Sequence, residues 1–222
     1  AGLIAILLHD IGHCPFSHAL EFSILQNIPH EALSLLVIQR LNSELDNKLD
    51  LSIKIFKGEY ERKFFNQLVS SQLDIDRLDY LQRDCFFTGV SEGAIGADRI
   101  IKMMDIKDDR LVIEEKGIYS IENFLSARRL MYWQVYLHKT TVSAEKMMIS
   151  LINRAKYLMQ NGQNLIATDE LCYFLKGNFS LSDFKNNEAS LENFLTLDDF
   201  DIWGAIKLWK NSQDYILKNL SR

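Results

Sequence analysis

Proline occurs only twice in the 222 residues, at Pro15 and Pro29, so nothing beyond residue 30 carries a ring that interrupts helical hydrogen bonding. The rest of the chain is free to be helical almost throughout, and its apolar spacing follows that freedom. Residues 2–12 read as one helix. An irregular stretch follows Pro15, and a new helix begins near His30 with Leu33, Leu36, Val37 and Leu41 on one face. Residues 60–72, 73–86 and 95–106 read as further helices, with Gly89, Gly93 and Gly96 marking the loop between the last two. A long helix is predicted from about Ile121 to Gln160, stopped by Asn161-Gly162. A polar loop at Asn186-Asn187 precedes final helices at 189–196 and 200–220. The exception is Leu111-Val112-Ile113, the Lys116-Gly117 turn signal and Ile118-Tyr119-Ser120, which together predict a small β-hairpin.

A content of 47% hydrophobic and 25% charged residues suits one large globular domain, or a core with a small appendage. The net charge of -5 gives no basic footprint for phosphate backbones and argues against nucleic-acid binding. Three widely spaced cysteines, Cys14, Cys85 and Cys172, are too few and odd in number for a disulfide framework; a reducing, cytoplasmic setting is expected. Gly2–Leu8 is followed at once by His9-Asp10, so it is too short to cross a bilayer, and it lacks the flanks of a signal peptide. Residue 1 falls inside an apolar helical pattern with no cap before it, and further residues are expected upstream.

Four of the five histidines, His9, His13, His18 and His30, lie in the first thirty residues. Imidazole offers a neutral nitrogen ligand and titrates near neutrality, so such a cluster suits both metal binding and proton transfer. His9-Asp10 closes an apolar helix, where two polar groups are costly unless paired or bound. The string from His9 to His18 joins that pair to a glycine, a proline break and two more histidines. Further along, Asp74, Asp76, Asp79 and Asp84 alternate with apolar residues, giving a helix with a dense charged face. Asp79 and Asp84 read there as a solvated face laced by pairs such as Asp79-Arg83 at i, i+4.

On His9 to Glu21, Pro29-His30-Glu31, Leu73 to Tyr80 with Arg83-Asp84-Cys85, and Arg128 to Lys139, the chain resembles the HD-superfamily phosphohydrolases, specifically their deoxynucleoside triphosphate triphosphohydrolase (dGTPase-like) branch. The resemblance implies an all-α HD-domain core with a small β-hairpin insertion. It spans residues 1–160 and lacks the first helix of the family, with residues 161–222 as a C-terminal helical extension packed on it. It implies one divalent metal ion held by two histidines and two aspartates. Three of these fall on His9, Asp10 and Asp76, and the fourth is a histidine expected upstream. The mixed nitrogen and oxygen set suits Mn, Fe, Co, Ni or Zn and admits Mg.

By the same resemblance His18 and His30 carry proton transfer with Glu21 as their carboxylate partner, and His13 lies near the substrate phosphates. Arg128 contacts phosphate and Arg77 points toward the substrate; Tyr80 and Tyr136 lie along the sugar. The implied reaction is hydrolysis of a dNTP to deoxynucleoside and tripolyphosphate, in a homo-oligomer with no membrane association. The alternatives are an HD phosphohydrolase acting on another nucleotide or phosphate ester, and an inactive nucleotide-binding regulator. Cys14, inside the motif, is expected to be a packing residue.

Overall fold

The structure, a computed structural model, describes residues 1–25 and 28–222. Among the described residues it is all-α apart from one two-stranded sheet, as the helical patterning predicts. Helices α1 (Gly2–Leu8), α2 (Glu21–Ile24), α3 (His30–Glu44), α4 (Asp50–Phe56), α5 (Phe64–Val69), α6 (Ile75–Thr88) and α7 (Ala97–Met103) precede strands β1 (Met104–Lys107) and β2 (Arg110–Ile113). Helices α8 (Ile118–Met131), α9 (Lys139–Gln160), α10 (Asp169–Lys176), α11 (Leu181–Asn186), α12 (Glu188–Thr196), α13 (Asp199–Trp209) and α14 (Tyr215–Leu220) follow. Among the described residues no helix is long and apolar enough to cross a membrane.

The chain divides into two compact units. One comprises Ala1–His9 and Leu41–Val142; the other comprises Asp10–Arg40 and Ser143–Arg222. In the first unit Leu78, Leu81, Ala97, Ile100, Phe124 and Met131 form a buried cluster that joins α6, α7 and α8. A smaller cluster of Ala5, Ile55 and Val69 ties α1 to α4 and α5. In the second unit Leu20, Ile24, Leu33 and Val37 are buried, as are Ile152, Ala155, Phe174 and Ile202.

Local chemistry explains the helix ends that matter most. Asp74 is the N-cap of α6, its carboxylate accepting the backbone N–H of Arg77 at 2.8 Å. Gly89 closes the same helix at φ 71, a left-handed position a side chain would strain. Helix α13 opens on a capping box in which Asp198 and Asp201 satisfy each other's backbone N–H groups.

Several predicted spans are corrected. The hairpin exists, but Leu111-Val112-Ile113 pairs with β1, in the register Met104↔Ile113 and Lys107↔Arg110, and not with residues 118–120, which open α8. Its turn is Asp108-Asp109, at φ 50 and 60, the left-handed pair that a tight hairpin of this twist requires. The helix predicted over 121–160 is two helices. Residues Tyr132–Tyr136 widen into a π turn, with Leu137 N–H bonded back five residues to Tyr132, and α9 restarts at Lys139. The helix predicted at 2–12 ends at Leu8, and that predicted at 60–72 holds only Phe64–Val69.

Candidate active site

The predicted site residues fall into two groups, one in each unit, and the His9-Asp10 peptide bond is where the chain passes from one unit to the other. In the second unit, the loop after Asp10 is held by unusual backbone. Phe16 and Ser17 both adopt left-handed angles, φ 57 and 48, although neither is glycine. The Phe16 N–H donates to the Asp199 carboxylate at 2.8 Å, and the Phe16 ring meets Trp203 edge-on at 5.5 Å. The C-terminal segment thus braces the loop that carries His13 and His18.

Glu21 begins α2 and is only 4% exposed. One carboxylate oxygen lies 3.2 Å from His18 Nδ1; the other accepts the backbone N–H of His30 at 2.8 Å and lies 3.2 Å from His30 Nδ1. Burial pushes the Glu21 pKa up, but the hydrogen bonds from the His18 ring, the His30 backbone and the His30 ring, with the attraction of His30, outweigh it and hold it below its ordinary value. A buried carboxylate therefore faces two imidazoles through their Nδ1 atoms. His30 Nε2 lies 3.5 Å from Glu31, and the His18 side chain is 72% exposed.

His13 completes this group. Its ring stacks on His30 at 3.9 Å and 15° and meets His18 edge-on at 4.7 Å. His13 Nε2 lies 3.6 Å from the Asp10 carboxylate. Cys14 is buried beside them, and burial, then the Glu21 charge, push its thiol up to about 12. It is a protonated packing residue and not a nucleophile.

In the first unit, His9 caps the C-terminal end of α1 and its Nδ1 lies 2.6 Å from the Ile6 carbonyl. A carbonyl only accepts, so Nδ1 is the donor in this contact and Nε2 is the ring's other nitrogen. That Nε2 lies 3.8 Å from an oxygen of Asp76, in the first turn of α6. An imidazole held at one nitrogen by a carbonyl and facing a carboxylate could hold a divalent cation.

Along α6, Asp76, Tyr80 and Asp84 recur every four residues and share a face. The Tyr80 ring meets Tyr136 at 6.2 Å, and Tyr136 meets Tyr132 at 5.2 Å. The Tyr136 hydroxyl donates to Asp84 at 2.6 Å; burial and this bond push the phenol far up, so it stays a neutral donor. Burial and the nearby Tyr132 also raise Tyr80, against the pull of Arg128 and Arg77. The Arg128 guanidinium lies 5.8 Å from the Tyr132 ring centre and donates to Gln72 at 3.2 Å.

One sequence reading changes here. Asp79 does pair with Arg83, at 2.7 Å, but Asp84 is no solvated surface acid, because it accepts the Tyr136 hydroxyl. Its i+8 spacing from Asp76 was the available signal. Arg77 folds back on its own helix start. Its Nη1 donates to the Ser71 carbonyl at 2.6 Å and to the buried Asp74, while its Nε is buried with no hydrogen-bond partner among the described residues.

Residues 95–172 match the family model described as the HD associated region. A crystal structure of a phosphohydrolase from Bacteroides thetaiotaomicron is 59% identical, with a TM-score of 0.96 over 99% of this chain and 55% of that one. The uncharacterized protein YwfO of Bacillus subtilis is 36% identical over 99% of this chain and 50% of its own length. A protein of Dictyostelium discoideum named deoxynucleoside triphosphate triphosphohydrolase SAMHD1 homolog is 28% identical over 73% of this chain and 35% of its own. The chain thus spans about half the length of the first two relatives, and less of the third.

Proposed function

We propose that this chain, a member of the HD superfamily by its matched region and relatives, carries the site of a metal-dependent phosphohydrolase that cleaves dNTPs to deoxynucleoside and tripolyphosphate. The observation that carries the hydrolytic reading is Glu21, a buried carboxylate bonded to both His18 and His30. A protein that only binds nucleotides has no need of two imidazoles oriented by one shared acid.

A divalent cation, when bound by His9, Asp10 and Asp76, supplies Lewis acidity toward a phosphoryl oxygen; Mn, Fe, Co, Ni, Zn and Mg all suit the donors. Support for this reading comes from the proximity of His9 Nε2 to Asp76, with Asp10 the next residue in the chain and within reach of the same group. The chain's own groups do the rest. Glu21 orients His18 and His30, and a proton held on one of their Nε2 atoms passes to the departing 5′ oxygen. A water oxygen bonds to the α-phosphorus as the phosphorus–5′ oxygen bond breaks, and the water gives up the proton that replaces the one donated. Arg128 and His13 offset phosphate charge, and Arg77 adds its charge from a position already shared with Asp74. Tyr80 and the Tyr136–Asp84 pair bound the sugar.

The dNTP assignment rests on the motif resemblance and the named Dictyostelium relative. Product analysis of the whole protein with Mn²⁺ and a panel of dNTPs, nucleoside monophosphates and cyclic nucleotides tests it. Equal amounts of deoxynucleoside and tripolyphosphate from the dNTPs are expected. Turnover confined to another member of the panel defeats the substrate claim, and no turnover at all defeats the hydrolytic one.

A further inference from the structure

We infer that Ser34 is a positioning residue for the stacked imidazoles of His13 and His30, and that it acts through the backbone of Gly12. Ser34 is fully buried, lies one helical turn beyond His30 in α3, and its hydroxyl accepts the Gly12 N–H at 2.9 Å. Gly12 has no room for any side chain: a Cβ there would sit 2.2 Å from the Ser34 nitrogen, 2.3 Å from the His30 carbonyl oxygen and 2.8 Å from the Leu33 carbonyl carbon. All three are backbone atoms and cannot yield as a flexible side chain can. The loop therefore lies directly on the first turn of α3, pinned by one buried hydrogen bond.

The residue after Gly12 is His13, and the turn it is pinned to starts with His30. Their rings lie 3.9 Å apart and nearly parallel. The His13 ring has little polar anchorage of its own, because its Nδ1 is buried with no hydrogen-bond partner among the described residues and its Nε2 lies 3.6 Å from Asp10. Ring stacking supplies contact without fixing lateral position. What sets the register of the two rings is the backbone, and what sets the backbone is the Gly12–Ser34 contact. The consequence for turnover rests on the proposed hydrolytic function; the consequence for ring geometry does not.

The test uses the whole protein with isotope-labelled histidine. In the parent protein the carbon-bound ring protons of His13 and His30, whose ring centres lie 3.9 Å apart, are expected to give a through-space NMR cross-peak. In Ser34→Ala that cross-peak is expected to be lost, with kcat falling about tenfold and KM changing less than about twofold, since misplaced reacting groups cost rate more than binding. Ser34→Cys, which keeps the volume but accepts a hydrogen bond weakly, should fall between, and it replaces the alanine variant if that variant does not fold by circular dichroism. A retained cross-peak overturns the inference, as does a lost cross-peak with unchanged kcat. If the parent protein turns over no nucleotide, the proposed function fails by itself and the cross-peak alone decides this inference.

Discussion

Glu21 has almost no water to solvate its charge, yet it stays ionised because three hydrogen bonds from two histidines replace that water. Glu21→Gln keeps the shape and removes the charge, so kcat should fall by about 10²–10⁴-fold, the worth of a general acid–base arrangement. Stability should respond with a definite sign. The folded pKa lies below the ordinary 4.5, so the ionised form stabilises the fold above that value and the benefit is lost as pH falls through the folded value. Urea midpoints of the two proteins should therefore converge as the pH drops below about 4.5. At this scale the sequence was readable where residues cluster locally, as the four early histidines do. It was less readable where a partner lies far along the chain. Asp84 pairs with Tyr136 across 52 residues, and Arg77 is claimed by Asp74, a neighbour whose burial no local pattern announces.

Helix α6 starts from a single carboxylate that does several jobs. Asp74 is 2% exposed and accepts the backbone N–H groups of Arg77 and Ser71 and the Arg77 guanidinium. Asp74→Ala should cost about 2–4 kcal/mol by chemical denaturation, from a lost cap and an arginine left without its buried partner. An exposed cap would cost only about 1 kcal/mol. Element boundaries were legible where a special residue marks them, as Gly89 ends α6 and Asn161-Gly162 follows α9. The break at Tyr132–Tyr136 has no glycine or proline to announce it; the aromatic run there reads as continuous helix, and the π turn is a feature of the folded unit. The hairpin's partner strand was missed because Met104–Lys107 extends the apolar helix pattern before it, and strand pairing is a non-local choice.

For the whole molecule, the proposed chemistry divides between two compact units along the chain, with His9, Asp76 and the tyrosines in one and Asp10, Glu21 and the histidine cluster in the other. The all-α class was legible in the scarcity of proline. The most direct measurement is a Mn²⁺ titration of the whole protein followed by the electron paramagnetic resonance of the free ion, alongside Asp76→Asn. A tight Mn²⁺ site is expected in the parent protein, with an affinity at least about tenfold weaker in the variant. An unchanged affinity in a folded Asp76→Asn protein would contradict it.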